Sequence, residues 1–402
     1  MTFRMASLAA MFKAGRLALV LLAAAPATAT AAEFSVSRGI NLDIWTTWPD
    51  EKLWGDKAAI LPYPEWRKSV GAAELEALKA AGFDFVRMPI DPAPFLSPKT
   101  LALRDRLYAS VLDSVKLANK AGLKVVVDLH LIPSAIRSAD MGKVMAEPAA
   151  FDAYLDVVRL MARQLSGLSP ALVALEPMNE PIIDCEDGAR EVWPQRLQRL
   201  FAAARASATR LTLVLSGACY SSGHSLARID PGIIADDNIL WTFHSYDPFL
   251  LTHQGATWAG DFIRHVAGLP YPLHKAPREE LDAALEKIRA RIRSDAPLAR
   301  RPGMLAYLDE QVALMDTQKE LGALMDVPFA KAAAWARKHG ISPHNVLLGE
   351  FGMIRQEYGN PHVMPGRYRA AYVADMIARA ERHGFPWAIW SYGGAFGVVE
   401  EF

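Results

Sequence analysis

This chain is short of cysteine, of excess charge and of long apolar runs, and each shortage closes off a class of protein. Cys185 and Cys219 are its two cysteines, too few for a disulfide scaffold and enough for one bridge. Forty-four basic residues balance forty-four acidic ones, for a formal net charge of +0. Nothing in that balance draws the chain to nucleic acid or to an acidic surface, and a neutral substrate fits it better. The apolar run Leu17–Ala25 is far below the ~20 residues that span a membrane. No Gly-x-Gly-x-x-Gly turn follows the first apolar strand, which sets a dinucleotide-binding open sheet second among the candidate folds. There is no tandem repeat at a short period and no low-complexity linker.

What is present is a chain of 402 residues, 51% hydrophobic and 22% charged, enough for one large domain or two ordinary ones. Residues 1–32 read as a signal peptide. Arg4, Lys13 and Arg16 supply its positive flank, and small residues from Ala27 to Ala32 offer Ala-x-Ala cleavage sites. The mature protein is expected to start near Glu33, to be secreted or periplasmic, and to carry no stable membrane anchor. An uncleaved anchor is the alternative.

From there, short apolar strands alternate with helices of 3.6-residue period. Strands are expected at Ser37–Asp43, Phe83–Ile90, Leu123–His130, from Ala171 to the Asn179-Glu180-Pro181 tip, and at Leu211–Ala218, Ile239–Tyr246, Val346–Gly352 and Trp387–Tyr392. Helices are expected over Ala72–Ala81, Arg104–Ala121, Ala149–Leu165, Trp193–Ala208, Pro328–His339 and Tyr368–His383, with Gly122 and Gly384 as two of the stops. This is the α/β class, a (β/α)8 TIM barrel over residues 33–402. A long stretch separates strands six and seven. It contains a charged helix, Arg278–Ser294, and residues 249–327 are expected to form an inserted cap on or beside the mouth. Only twelve residues follow Trp390, too few for the helix of an eighth unit, so closure and stability of the barrel are in question there.

Barrels of this kind carry their chemistry at the C-terminal tips of the strands. The polar residues there are Arg87, His130, Asn179, Glu180, His244, Tyr246, Glu350 and Trp390. Two are carboxylates on different strands, the arrangement that cleavage of an acetal requires. Asn-Glu-Pro, His-x-Tyr, Gly-Glu-Phe-Gly and a terminal Trp, in this order on these strands, resemble glycoside hydrolase family 5, the cellulase family. The resemblance runs from Arg38-Gly39-Ile40-Asn41 to Trp390.

The resemblance implies retaining hydrolysis of a β-glycoside, with Glu180 as acid/base and Glu350 as nucleophile and no cofactor. Arg87 is expected to hold Glu350 ionised, and Tyr246 to donate to it. Asn179 is expected at the sugar 2-hydroxyl. His130 and His244 would bond sugar hydroxyls or the carboxylates, and Trp390 would offer the sugar an apolar face. Glu176, four residues before Glu180, is read as a buried structural carboxylate in mid-strand. A metal-dependent hydrolase using His130 and His244 is disfavoured, since strand one lacks a His-x-His. A glycan-binding barrel without activity is the alternative of a different class. The expected partner is β-1,4-glucan, cut by a monomer, with mannan, xyloglucan, β-1,3-glucan and exopolysaccharide as other substrates. Endo and exo action both stay open.

Two further expectations concern packing. Cys185 and Cys219 follow neighbouring strands whose tips face the same way, so a Cys185–Cys219 bridge is expected. Trp45, Trp48, Trp54, Trp66, Trp193 and Trp258 are read either as sugar-stacking platforms or as loop packing.

Overall fold

Alternation of period two decides which side chains of a strand enter the barrel and which meet the helices. In the computed structural model, which describes residues 34–43, 45–60, 70–134, 139–186 and 191–399, eight parallel strands close on themselves in sequence order. The expected signal peptide and Trp66 lie outside the described residues. The strands are β1 (Arg38–Asn41), β2 (Phe85–Ile90), β3 (Lys124–Leu129), β4 (Val173–Glu176), β5 (Thr212–Ser216), β6 (Ile239–His244), β7 (Val346–Glu350) and β8 (Trp387–Ile389). The fold is a (β/α)8 barrel, as the strand–helix alternation implies.

Phe85, Val126, Ala174, Val214, Leu240, Leu347 and Ala388 form one apolar layer, a single residue from each of seven strands. β1 brings Gly39 beside Phe85, and a Cβ there would lie 2.4 Å from the Phe85 ring. The ring therefore occupies room that only glycine leaves. Two residues further along, the same faces of β2, β3 and β4 present Arg87, Asp128 and Glu176, all fully buried. The opposite faces, such as Val125, Val127 and Leu129 of β3, pack in the larger core with the helices.

The helices Ala72–Ala80, Arg104–Lys120, Pro148–Leu165, Trp193–Arg205 and Gly366–His383 stand between successive strands close to their expected bounds. The sixth barrel helix does not start at Pro328; it runs over Gln318–Lys338 with Pro328 inside. Its start is set by Thr317, whose hydroxyl accepts from the Glu320 N–H and donates to the Glu320 carboxylate. Proline favours a first turn, but the cap at Thr317, well before it, overrides that preference. The insertion between β6 and β7 therefore gives way to barrel helix at Gln318, before the expected bound of 327.

Barrel closure does not need a terminal helix. β8 pairs in parallel with β1 and β7, and the short turn Gly394–Phe396 follows it, with Phe396 buried against Tyr246 and His253. Of the two doubts raised by the twelve residues after Trp390, that of closure is answered by strand pairing.

Phe85→Ala would open the inner layer and should destabilise the protein by about 3–5 kcal/mol in urea unfolding. The folded fraction should keep its kcat, because this layer sits a full step below Arg87.

Candidate active site

β4 ends at Glu176, earlier than the alternation implies; Asn179 and Glu180 lie in the bend after it. Asn179 is still tied to the sheet, its N–H donating to Leu129 O at 3.1 Å. Glu180 adopts φ +38°, a left-handed conformation that L side chains rarely take. Glu176 is the last residue of its strand and not a mid-strand residue, yet it is fully buried.

Arg87 occupies the centre. Its Nε and Nη2 donate to the two oxygens of Glu176 at 2.7 and 2.9 Å, and its Nη1 donates to Glu350 Oε1 at 2.6 Å and to Asn41 Oδ1 at 2.9 Å. Nη2 also donates to Asn179 Oδ1 at 2.8 Å and lies 2.9 Å from Asp128. Every N–H of the guanidinium is thus directed at an acceptor.

The remaining expected residues attach to this centre. Tyr246 Oη donates to Glu350 Oε2 at 2.9 Å. His244 Nδ1 lies 2.7 Å from Glu180 Oε1 and 3.7 Å from Glu350 Oε2. Asn179 Nδ2 lies 3.3 Å from His130 Nε2, and His130 Nδ1 lies 2.8 Å from Asp128 Oδ2. If Asn179 donates there, His130 carries its proton on Nδ1 and gives it to Asp128. Trp390 stacks on His130 at 5.3 Å between ring centroids. All eight strand-tip residues belong to one connected network.

Two backbone devices place Glu350. His244 pairs with Glu350 while Phe243 pairs with Leu348, so Gly349 is an extra residue in β7. Such a bulge re-aims the side chain that follows it. A Cβ on Gly349 would meet Thr242 Oγ1 at 2.5 Å, and one on Gly352 would meet the Trp390 carbonyl at 1.9 Å. The glycines on either side of Glu350 are steric requirements.

The two carboxylates differ in surroundings. Glu180 has 27% of its side chain exposed and Glu350 has 4%. Burial pushes Glu180 up to about 7, with no arginine bonded to it. Burial also raises Glu350, against the pull of the neighbouring positive charge on Arg87. Burial pushes His244 down to about 4, so it is neutral near pH 7. Asp128 is pushed up to about 7 by burial, with Arg87 opposing.

Two residues with structural roles in the site, Asn41 and Asp128, went without an assignment in the sequence. Asn41 accepts from Arg87 and donates to Gly349 O at 3.0 Å and Ile389 O at 3.1 Å, holding β1, β7 and β8 together. Asp128 orients His130; Glu176, expected as a buried structural carboxylate, is one, and it accepts from the Nε and Nη2 edge of Arg87. Polar residues on inward positions of otherwise apolar strands were the available signal. Of the two readings of the tryptophans, packing holds for Trp45, Trp48, Trp54 and Trp193, which are buried. The indole N–H groups of Trp48, Trp54 and Trp193 donate to Asp91 O, Pro49 O and Ser216 O. Trp258 is the exception, 61% exposed, with its ring against His253, which packs on Tyr246. Cys185 and Cys219 are bonded to each other.

Among the described residues, Glu180, His244 and Glu350 offer ligand atoms within 4.8 Å of one another. A cation there would compete with a hydrogen bond already made to Glu350 and face the Arg87 charge, so the donor set suits a sugar better than a metal.

The Cellulase (glycosyl hydrolase family 5) model matches residues 62–396. The chain belongs to glycosyl hydrolase family 5. It is 23% identical over 344 residues to Endoglucanase 3 of Fibrobacter succinogenes, covering 82% of this chain and 47% of that protein. It is 26% identical over 240 residues to Endoglucanase C of Acetivibrio thermocellus, covering 59% of this chain and 65% of that one. The chain thus spans about half to two thirds of the length of these curated relatives. The cellulose synthase subunit Z of Clostridioides difficile shares the fold, with TM-score 0.61, 19% identity, and coverage of 91% and 94%. Endoglucanase Cel5A of Thermotoga maritima does so with TM-score 0.59, 20% identity, and coverage of 90% and 92%. No described helix is long and apolar enough to cross a membrane.

Arg87→Met should cost about 3–5 kcal/mol of stability, because it leaves buried carboxylates unpaired. With the guanidinium gone, their folded-state proton affinity rises further above the unfolded value, so folding takes up protons. The loss in urea unfolding should therefore be smaller at about pH 5 than at about pH 8. Dialysis against EDTA should leave kcat/KM unchanged, and a divalent ion that restored lost activity would contradict the assignment of this cluster to sugar.

Proposed function

We propose that this family 5 enzyme is a retaining endo-β-1,4-glucanase with Glu180 as acid/base and Glu350 as nucleophile. One observation carries the reading: an oxygen of each carboxylate lies within 4.8 Å of the other. Retaining enzymes hold the pair about 5–5.5 Å apart, and inverting ones about 6.5–9.5 Å. The unequal surroundings assign the roles. Glu180, pushed to about 7, holds a proton near neutral pH, and Glu350 receives two hydrogen bonds that only its ionised form accepts fully.

In the first step a Glu350 oxygen bonds the anomeric carbon as the glycosidic C–O bond breaks. Glu180 gives its proton to the departing oxygen. The ester formed on Glu350 carries no charge, so Glu180 can ionise without facing a second negative carboxylate. Glu180 then takes a proton from water as that water attacks the anomeric carbon and releases Glu350. Asn179, oriented by Arg87 and His130, is the group that contacts the 2-hydroxyl. Trp390 and His130 form a wall for the same ring.

The endoglucanase names of the two curated relatives support β-1,4-glucan cut internally. An open groove of about 740 Å³ lined by Pro133, Lys143, Ile182 and Ile183 begins just past Pro181 and has room for a chain on the acid/base side. The proposal includes export by the N-terminal segment and action as a monomer. A panel of β-1,4-glucan, mannan, xyloglucan, β-1,3-glucan and bacterial exopolysaccharide, with product sizes recorded, tests the substrate.

The role assignment has a stereochemical test. Glu180→Ala should turn over an activated aryl β-cellobioside slowly, speed up with azide, and give the β-azide through two inversions. Glu350→Ala with azide should give the α-azide through one. An α-azide from Glu180→Ala would exclude the retaining route. With the acid on Glu180, wild-type kcat/KM should fall as pH rises through about 7, since the acid must be protonated. Glu180→Gln should lack that limb on the activated substrate.

A further inference from the structure

The acid/base does not sit on a strand. It sits on a bend whose backbone is left-handed, and the chain that braces this bend is itself left-handed. Cys219, Tyr220 and Ser221 take φ of +45°, +58° and +52°, three consecutive residues with side chains in a region that favours glycine. Backbone of this kind persists only where its surroundings over-determine it.

The surroundings form a closed circuit. The segment after Glu180 accepts from the β5 loop twice, Pro181 O from Tyr220 N–H at 3.3 Å and Ile183 O from Cys219 N–H at 3.1 Å. The Cys185–Cys219 disulfide ties the same two segments covalently, with Cα atoms 4.8 Å apart. The β5 loop then passes to β6: Ser221 O accepts from His244 N–H at 2.8 Å, and Ser222 bridges His244 in parallel. His244 Nδ1 returns to Glu180 Oε1 at 2.7 Å. Glu180 and its hydrogen-bond partner are therefore the two ends of a loop pair, and the disulfide is the covalent link in that circuit. Cys185 is exposed, so a soluble reductant can reach it.

We infer that the Cys185–Cys219 bridge is a positioning element for Glu180, setting the acid/base against His244 and the leaving oxygen and not merely adding stability. The inference rests on the acid/base reading of Glu180. Its consequence is specific to proton transfer. Loosening the bend should weaken general acid catalysis, which matters for poor leaving groups and hardly at all for good ones. A bridge that only stabilises the fold would lower all substrates alike or none.

The test is kcat/KM over a series of aryl β-cellobiosides, from 2,4-dinitrophenyl to phenyl, for wild type, Cys185→Ser/Cys219→Ser and Glu180→Ala. General acid catalysis contributes about 10²–10⁴-fold. The double variant should therefore lose about tenfold or more on the phenyl substrate and less than about threefold on dinitrophenyl. Glu180→Ala should show a steeper form of the same pattern. Wild type reduced with dithiothreitol, its fold checked by circular dichroism, should match the double variant and recover on reoxidation; this arm answers the question if the variant fails to fold. An equal loss across the series, no loss, or unfolding on reduction would overturn the inference while Glu180→Ala keeps its steep pattern. A flat series for Glu180→Ala would instead remove the acid/base reading itself.

Discussion

One guanidinium, fully buried, governs this barrel. Arg87 bonds Asn41 at the end of β1, Glu176 at the end of β4, Asn179 just past it and Glu350 on β7, and it lies against Asp128 on β3. A single positive charge cannot balance Asp128, Glu176 and Glu350 if all three are ionised in a low-dielectric interior. Asp128, pushed up to about 7, is a natural holder of a proton among them. Lysine could not replace this residue, because a point charge with three donors cannot serve five directed acceptors. The position of Glu350 and the orientation of Asn179 both pass through the same side chain.

Around that centre the two carboxylates are presented by opposite means. Glu350 stays on its strand and is turned by a bulge at Gly349, with glycines keeping the neighbouring atoms at contact distance. Glu180 leaves its strand and is held by a left-handed bend. A strand holds Glu350 fixed beside Arg87. A loop leaves Glu180 closer to solvent, and the two placements suit the nucleophile and the acid/base of the proposed mechanism. The difference in exposure, 27% against 4%, follows from that division.

The insertion between β6 and β7 is bound chiefly to the outer wall. Tyr271 donates to Asp375 and Tyr368 donates to Glu280, both involving the helix Gly366–His383. Its first residues lie nearer the site, where His253 stacks on Phe249 and meets Tyr246, Trp258 and Phe396. This aromatic cluster supports Tyr246 from behind and carries Trp258 outward to solvent.

Strand and helix order, the barrel class and the eight strand-tip residues were all legible in the sequence by itself. Local periodicity records which faces are buried, and a parallel barrel must bring its strand ends to one rim. The rest depended on contacts between residues far apart in the chain. Period two would send Glu350 to the same face as Leu348, and only the mismatch with β6 turns it inward. The Asn179–Glu180 pair reads as a strand end but becomes a bend, because the β5 loop, through Cys219 to Ser221, closes over it. Platform and packing could not be told apart for the tryptophans from local pattern, and tertiary packing covers Trp45, Trp48, Trp54 and Trp193. Pro328 reads as a helix start because proline preference is local, whereas the Thr317–Glu320 cap and the fit of the helix against the barrel carry it through. Periodicity could announce the rim; tertiary packing alone decided how each carboxylate stands on it.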